Sequence, residues 1–258
     1  MYNTMTFRSY LSAALVTILL ASCAKEGPTG PTGPAGPSYT GSISGHVMLF
    51  DKYGSPVIGG YTSAKLTLAS ATTTVSNGGA ATPDNSGYYI YSSVKTGSYS
   101  ITATNSGYGS KIINNVDFVL GNLNQDIQIS AIPDSFITGF HAQSSAVGLY
   151  DSLNFSYAAD PRVRNAILFV NSKASVGNLP ANYLLKYVVQ IPANTPGVKF
   201  MIPQQDLLNA GLATGAKVYF AAYSYVIDDK SVYEDLATGK SVYNAVYPVP
   251  FIDSALVP

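Results

Sequence analysis

The chain has no tryptophan, one cysteine and two histidines among its 258 residues. The single cysteine, Cys23, excludes a disulfide within the chain. The histidines, His46 and His141, lie far apart in the sequence, and neither falls in a recognised catalytic or metal-binding motif. These absences argue against catalysis by a cysteine–histidine pair and against a histidine-rich metal site.

Charged residues are also scarce. They make up 11% of the chain, well below the ~25% typical of soluble domains. The 14 Lys and Arg residues balance the 14 Asp and Glu residues, so the formal net charge is zero. The chain has no basic field that could hold nucleic acid or anionic lipid, and we expect no nucleic-acid partner.

Common enzyme signatures are missing as well. The sequence contains no His-Glu-x-x-His, no Gly-x-Ser-x-Gly, no phosphate-binding loop and no dinucleotide fingerprint. We therefore expect a protein that is not an enzyme, with no catalytic residues, no metal and no cofactor. A hydrolase built on two carboxylates that meet only in the folded chain is the alternative that the sequence leaves open.

The residues that are abundant favour β-structure. The chain has 20 tyrosines and 23 glycines, and Thr, Ser and Val are frequent, a composition typical of short strands joined by tight turns. Turn residues recur every ~8–12 positions, which is the spacing of a β-sandwich. We predict an all-β fold of two β-sandwich modules, residues 40–131 and 132–258, with the boundary at Ile132-Pro133-Asp134.

The first 22 residues have the proportions of a signal peptide. One basic residue, Arg8, precedes a near-continuous apolar run from Leu11 to Leu20. Ten helical residues reach ~15 Å, about half the thickness of the hydrocarbon core, so the run is too short to span a bilayer comfortably. We assign residues 1–22 as an export signal that is removed from the mature protein.

The residues that close this run, Leu20, Ala21, Ser22 and Cys23, resemble the bacterial lipobox. The resemblance implies cleavage before Cys23, a diacylglycerol thioether on its sulfur and further N-acylation, which together give a stable membrane anchor. An ordinary signal peptide followed by a stray cysteine is the alternative. The residues after Cys23, Ala24, Lys25 and Glu26, resemble the short tracts that follow the lipidated cysteine in surface lipoproteins of Bacteroidota-type bacteria. This resemblance implies that the protein is anchored in the outer membrane, and it favours the external face over the periplasmic one.

Residues 23–39 form a spacer after the lipidation site. The stretch from Gly27 to Pro37 repeats collagen-like Gly-Pro-x triplets, but it is too short for an independent triple helix. Because proline fixes φ and the segment has little apolar surface to bury, we predict an extended polyproline II tether. Trimerisation through the repeat is the alternative.

The first module contains a spaced pattern of glycines, tyrosines and a few other residues. Its members are Gly45, Val47, Asp51, Gly54, Pro56, Gly59, Gly87, Tyr89, Gly97, Tyr99, Ile101, Gly107 and Tyr108. This pattern is similar to that of the carboxypeptidase regulatory-like domain. The resemblance implies a transthyretin-like β-sandwich that serves as a non-catalytic accessory module. The polar stretch 70–83 is longer than is usual in that family, and we predict an extended hairpin loop there.

The second module carries two longer patterns. Apolar side chains alternate along the run 153–157, and a turn at 212–215 leads into an apolar strand that begins near Val218. These features resemble fibronectin type III and immunoglobulin-like sandwiches, although Val218 stands where that fold has its corner tyrosine. Pro203 and Gly211 frame one or two predicted helical turns between the strands.

Three tyrosines, Tyr219, Tyr223 and Tyr225, share one face of the strand after Val218 because side chains alternate along a strand. The opposite face is also apolar, so one face must be covered or must meet a partner. One interpretation is an aromatic platform that binds a glycan, and the other is a central strand packed on both sides. The acidic run 228–235 lacks the pattern of a calcium-binding loop and is interpreted as a hairpin of solvated charge.

Together these observations predict a lipid-anchored cell-envelope protein whose non-catalytic modules act as a structural, adhesive or protein-interaction scaffold. Its expected partners are the membrane, through the N-terminal lipid, and a protein or glycan at the cell surface. The alternative is an accessory carbohydrate-binding lipoprotein of a polysaccharide-use system.

Overall fold

The computed structural model describes residues 40–70, 79–134, 136–155 and 161–258. The predicted signal peptide, the lipobox with Cys23 and the Gly/Pro tether lie outside the described residues. The described chain is nearly all β-strand, and its mostly antiparallel sheets form β-sandwich-like modules. The predicted all-β, β-sandwich class is confirmed.

In the part of the chain that the structure describes, the first module contains nine strands. In chain order, β1 to β9 are Thr40–Phe50, Pro56–Val57, Lys65–Ser70, Ala80–Ala81, Tyr88–Lys95, Gly97–Thr104, Lys111–Phe118, Asn122–Asn124 and Ile127–Ser130. One sheet is centred on β1, which pairs antiparallel with β2 and β5 and parallel with β8 and β9. The other sheet has the order β4-β3-β6-β7.

The core of the first module follows from strict alternation along its strands. In β1, Ile43, Val47 and Leu49 are buried while His46 is exposed, which is the period of two that puts successive side chains on opposite faces. Residues from both sheets complete the core, among them Tyr89 and Ile101. The alternation of apolar and polar residues therefore sets which face of each strand is inside.

The parallel pairing of β1 with the end of the module is close and nearly continuous. Residues Ser42–Ser44 lie opposite Asn122–Asn124, and Val47–Phe50 lie opposite Ile127–Ser130. Between the two paired segments, Gly45 admits the facing main chain, since a Cβ built at Gly45 would overlap the carbonyl oxygen of Gln125. The first and last strands of the module thus run side by side in the same direction.

Within the described residues, the second module contains nine strands and one α-helix. In chain order, β10 to β18 are Ile137–Ser144, Gly148–Phe155, Arg164–Asn171, Leu185–Ile191, Gly197–Pro203, Lys217–Tyr225, Tyr233–Asp235, Lys240–Val242 and Phe251–Leu256, and the helix α1 is Gln204–Asn209. The sheets have the orders β10-β11-β14 and β13-β12-β15-β18, and β16 pairs with β17 as a hairpin.

The four-stranded sheet of this module is apolar on both faces. Leu168 and Phe220 point into a core shared with the three-stranded sheet, which also contains Leu153. Phe169 of β12 and Tyr223 of β15 lie on the opposite face of the sheet and point into a second buried cluster. The central strands β12 and β15 are therefore covered on both sides, which explains why neither shows a polar face in the sequence.

The helix α1 begins directly after Pro203 and is followed by Gly211, whose φ is +83°. It places Leu207 in the core of the second module. Proline before a helix and a left-handed glycine after it are the signals that predicted these turns. Across the residues with described structure, no helix is both long enough and apolar enough to cross a membrane.

Candidate functional site

A cavity of about 290 Å³ opens where the turn after β1 approaches the start of the second module. Cationic and aromatic side chains line it, together with one proline and one acid: Lys52, Tyr53, Pro133, Asp134, Phe136, Arg162, Arg164 and Tyr225. Both modules contribute to the lining, so the cavity depends on how the modules meet. It was not predicted from the sequence, because its residues come from four separate segments.

The turn after β1 presents Lys52 and Tyr53 to this cavity. Asp51 holds the turn, since its Oδ1 accepts hydrogen bonds from the backbone N–H groups of Tyr53 at 2.9 Å and Ser55 at 2.8 Å. Gly54 adopts a φ of +78°, a conformation that suits glycine. The turn therefore positions two side chains of the cavity.

Cations and aromatic rings pair closely around the cavity. The guanidinium carbon of Arg162 lies 3.5 Å from the centre of the Tyr53 ring, and that of Arg164 lies 4.9 Å from the centre of the Phe136 ring. Such stacking is favourable because the face of an aromatic ring carries a negative electrostatic potential, which attracts the guanidinium cation. Arg164 is buried, with 4% of its surface exposed, so one positive charge lies below the surface.

An ion pair closes one side of the cavity. Lys52 Nζ donates a hydrogen bond to Asp134 Oδ2, and this bond is the main cause of a raised pKa at Lys52, ahead of the opposing effect of its partial burial. Asp134 is largely exposed. Because one partner faces water, the pair contributes little to stability, and its effect is to fix where the ammonium group lies.

A polar joint fixes the two modules to one another beside the cavity. The backbone N–H of Ser130 donates to Ser231 Oγ at 2.8 Å, and the backbone N–H of Lys230 donates to Ser130 Oγ at 2.8 Å. Ser231 also donates its hydroxyl to the carbonyl of Gly109 at 3.2 Å. Both serines are fully buried. Buried hydrogen bonds are directional, so this joint sets the orientation of the modules.

Further contacts extend the joint along the acidic run of the second module. Lys111 Nζ donates to the carbonyl of Lys230 at 2.6 Å, and burial is the main reason why its pKa is lowered. Asp229 is also turned inward, and burial raises its pKa. The interpretation of this run as a hairpin of solvated charge is therefore wrong at Asp229, which lies between Lys111 and Tyr225.

The three tyrosines singled out in β15 do share one face, but that face is covered. Tyr223 and Tyr225 are 6% and 7% exposed, and Tyr219 is partly buried. Phe169 packs edge-on against Tyr223 with ring centres 5.7 Å apart, and Tyr243 packs against Tyr225 at 6.1 Å. The tyrosines act here as packing residues of a second core, which leaves no open aromatic platform across Tyr223 and Tyr225.

Two chain segments provide this cover. Tyr183, which precedes β13, donates its hydroxyl to the carbonyl of Ser241 at 2.6 Å. Asn178 donates its side-chain amide to the carbonyl of Tyr243 at 2.9 Å. Burial raises the pKa of Tyr183 to about 12. Because the segments are hydrogen-bonded to each other over the ring cluster, we expect the cover to stay closed.

The two histidines lie in different modules, each beside one aspartate. His141 Nδ1 is 3.1 Å from Asp253 Oδ2, and His46 Nδ1 is 3.8 Å from Asp126 Oδ1. Both imidazoles are more than half exposed. Among the residues that the structure describes, no three His, Cys, Asp or Glu side chains are grouped so that they could hold a metal ion.

One acidic side chain is buried within the second module. Asp151 in β11 is 1% exposed, and neither of its carboxyl oxygens has a hydrogen-bond partner among the described residues. Burial, with a smaller effect from the charge of Asp253, raises its pKa to about 7. Sequence reasoning missed this residue, although the alternation of β11 puts Asp151 on the same inward face as Leu149 and Leu153.

Comparisons with known proteins give only distant similarities. No family model matches the chain, and no curated protein matches it. A solved DUF3823 family protein from Parabacteroides merdae is 11% identical, with 83% of this chain and 100% of that chain covered and a TM-score of 0.27. A candidate carbohydrate-binding protein from Bacteroides uniformis is 16% identical, with coverage of 83% and 99% and a TM-score of 0.30.

A second DUF3823 family protein, from Bacteroides ovatus, is 13% identical, with 84% of this chain and 100% of that chain covered and a TM-score of 0.30. These resemblances to β-rich Bacteroides proteins assign no family to the chain. The two resemblances found in the sequence, to the carboxypeptidase regulatory-like domain and to the fibronectin type III and immunoglobulin-like sandwiches, stay predictions.

Proposed function

We propose that the chain is a lipid-anchored protein of the cell envelope, held at the outer membrane through Cys23, whose non-catalytic modules act as a structural, adhesive or protein-interaction scaffold. The observation that supports the scaffold role is the buried joint of Ser130 and Ser231. Serine hydroxyls buried in this way hold one orientation, because turning the modules would leave unpaired polar groups in the joint. Two modules held in one orientation suit a scaffold protein, which must keep its binding surfaces in fixed relative positions.

The anchor is supported by the sequence of the lipobox and by its place after a short apolar run. We expect mass spectrometry of the native protein to find an N-terminal peptide that begins at Cys23 and carries diacylglycerol. The variant Cys23→Ala should move from the membrane fraction to the soluble fraction, while Lys25→Ala should stay with the membrane. An unmodified native peptide that begins at any other residue would overturn the anchor.

Display on the external face is a separate part of the proposal. Protease added to intact cells should remove the chain, with a periplasmic protein as the control that stays uncut. A chain that survives on intact cells and is cut only after lysis lies on the periplasmic side. Cross-linking on intact cells should then join the chain to a defined surface protein or glycan if it acts as an adhesive or interaction scaffold.

A second candidate function, carbohydrate binding, is favoured by the lining of the cavity. Lys52, Arg162 and Arg164 bring three cations to a concave site that also contains aromatic rings. Guanidinium groups suit the planar carboxylates of acidic sugars, and aromatic rings suit the apolar faces of sugar rings. The saccharide expected here is therefore an acidic one, such as a uronate oligosaccharide.

Titration calorimetry with uronate and neutral oligosaccharides of matched length tests this candidate. The uronate should bind and lose affinity as salt is added, because the attraction is electrostatic. Arg162→Ala should weaken binding, while Lys199→Ala, a change at an exposed cation of β14, should leave it unchanged. No uronate binding, or equal binding of both sugars, would remove the candidate.

A further inference from the structure

We propose that the first module bears tensile load and is built as a shear clamp between its first and last strands. The proposal rests on the proposed function for the source of the load, since an anchor at Cys23 would pull on Thr40. It goes beyond that function because it assigns a mechanical role to one pair of strands.

The clamp is the parallel seam between β1 and the β8–β9 segment. In addition to the paired residues described above, backbone hydrogen bonds continue along the seam, from Ser42 N to Gly121 O at 2.9 Å, from Gln125 N to Ser44 O at 2.7 Å and from Ala131 N to Phe50 O at 2.8 Å. Hydrogen bonds therefore run the length of β1 from Ser42 to Phe50.

The direction of pulling decides how these bonds are loaded. The tether enters at Thr40, the beginning of β1, and the chain leaves toward the second module after Ser130, the end of β9. Because β1 and β9 run in the same direction, force on these two ends slides one strand along the other. The force is then roughly perpendicular to the hydrogen bonds and is shared among them, so they must fail together.

The joint between the modules receives the load at the exit of the seam. Ser130 is both the last residue of β9 and the residue that bonds to Lys230 and Ser231. Force carried by the main chain from the second module is thus delivered at the end of the parallel seam and not at the antiparallel β1–β5 edge. That edge would open one pair at a time if it were pulled from the Thr40 and Lys95 ends.

The second module has a similar arrangement, but side chains bridge its first and last strands in place of a backbone ladder. Its first strand β10 and last strand β18 also lie side by side, bridged from Ala142 N to Asp253 Oδ2 at 2.9 Å and from the Ser144 hydroxyl to the carbonyl of Leu256. These bridges use side chains, and the two strands belong to different sheets. We therefore expect the second module to yield at lower force than the first.

Optical-tweezer pulling of the purified full chain without lipid tests the clamp. In the first pulling geometry, handles are attached at Cys23 and at Pro258→Cys. In the second geometry, they are attached at Cys23 and at Lys95→Cys. The first loads the seam in shear, and the second opens β1 from the end where Thr40 faces Lys95. The first module should unfold at a force several-fold higher in the first geometry, and after the second module. Equal forces in the two geometries, or a first module that yields before the second, would overturn the clamp.

A matched pair of glycine variants tests the seam itself. Gly45→Ala places a Cβ against the carbonyl of Gln125 and should lower the unfolding force of the first module. Gly139→Ala, in β10, meets only the end of the Asn154 side chain at 3.3 Å and should leave that force unchanged. Because the purified chain carries no lipid, these results are independent of acylation. An unmodified Cys23 in cells would remove the anchor proposal and leave the measured clamp intact.

Discussion

Ser130 and Ser231 are 101 positions apart in the sequence, yet the backbone N–H of Ser130 donates to the hydroxyl of Ser231 at 2.8 Å in a site without solvent exposure. One hydroxyl therefore satisfies a buried donor of the first module and donates to Gly109 of the same module. The joint depends on this single side chain more than on any ion pair at the surface.

Replacing that hydroxyl should destabilise the protein. In Ser231→Ala the N–H of Ser130 stays buried and loses its acceptor, which costs about 1–3 kcal/mol of unfolding free energy. Urea unfolding followed by circular dichroism measures the loss. Ser63→Ala, at an exposed serine whose hydroxyl donates to the nearby Gly60 carbonyl, should change stability by less than about 0.5 kcal/mol. Equal effects of the two changes would contradict the importance of the joint.

A methyl group at Gly109 should disturb the same joint by a steric route. A Cβ at Gly109 would lie 2.7 Å from Ala245 N and 2.9 Å from the Ser231 Cβ, distances at which main chain must move. We expect Gly109→Ala to lower the unfolding midpoint in urea and to increase hydrogen exchange at Ser130. Gly139→Ala is the control with the same chemical change. Unaltered exchange at Ser130 in Gly109→Ala would show that the joint tolerates displacement.

The aromatic cover of β15 should contribute strongly to stability. Tyr243 packs against Phe169, Tyr183 and Tyr225, so Tyr243→Ala removes a buried ring and should cost about 3–5 kcal/mol. Tyr150→Ala, at a half-exposed tyrosine of β11, is the control and should cost much less. Thermal and urea unfolding distinguish the two. An open glycan platform would give the opposite result, with little loss of stability in Tyr243→Ala.

Stability should fall as the pH rises through the titration of Asp151. Its pKa is about 7 in the folded protein, against 3.8 for the unperturbed carboxyl, so the folded state holds a proton that the unfolded state releases. The unfolding free energy should therefore decrease between about pH 4 and pH 7 and then level off, with an upper limit of about 4 kcal/mol because one pKa unit corresponds to about 1.4 kcal/mol.

Asp151→Asn removes this titration and should reduce the slope over that range to the part that Asp229, whose pKa is also raised by burial, contributes. Urea unfolding at half-unit pH steps gives the measurement, and Asp117→Asn, at an exposed aspartate of β7, serves as the control with the same chemical change. A profile of Asp151→Asn that keeps the original slope would mean that another group causes it.

Strand faces and helix ends could be predicted from the sequence, because each depends on residues that lie within a few positions of one another. The alternation along the run 153–157 predicted the inner face of β11 at Leu153 and Phe155, and Pro203 with Gly211 predicted the helical turns of α1. Both signals act within a few residues. The all-β class followed from many such signals repeated along the chain.

The candidate sites could not be predicted in the same way, because remote segments form them. Periodicity put Tyr223 and Tyr225 on one face, but only the folded chain brings Phe169 and Tyr243 over them. The cavity needs the turn at Lys52 to meet Arg162, more than a hundred positions away. Lipidation at Cys23 lies outside the described residues and stays a prediction.

The side-by-side course of β1 and β9 also sets a distance. The chain enters the first module at Thr40 and leaves beyond Ser130, which lies opposite Phe50. Entry and exit are thus separated by the length of β1, ten residue steps or ~33 Å at ~3.3 Å per residue. The module therefore acts as a spacer. The segment after β9 begins one strand length away from Thr40, whereas a module whose first and last strands were antiparallel would begin it beside Thr40.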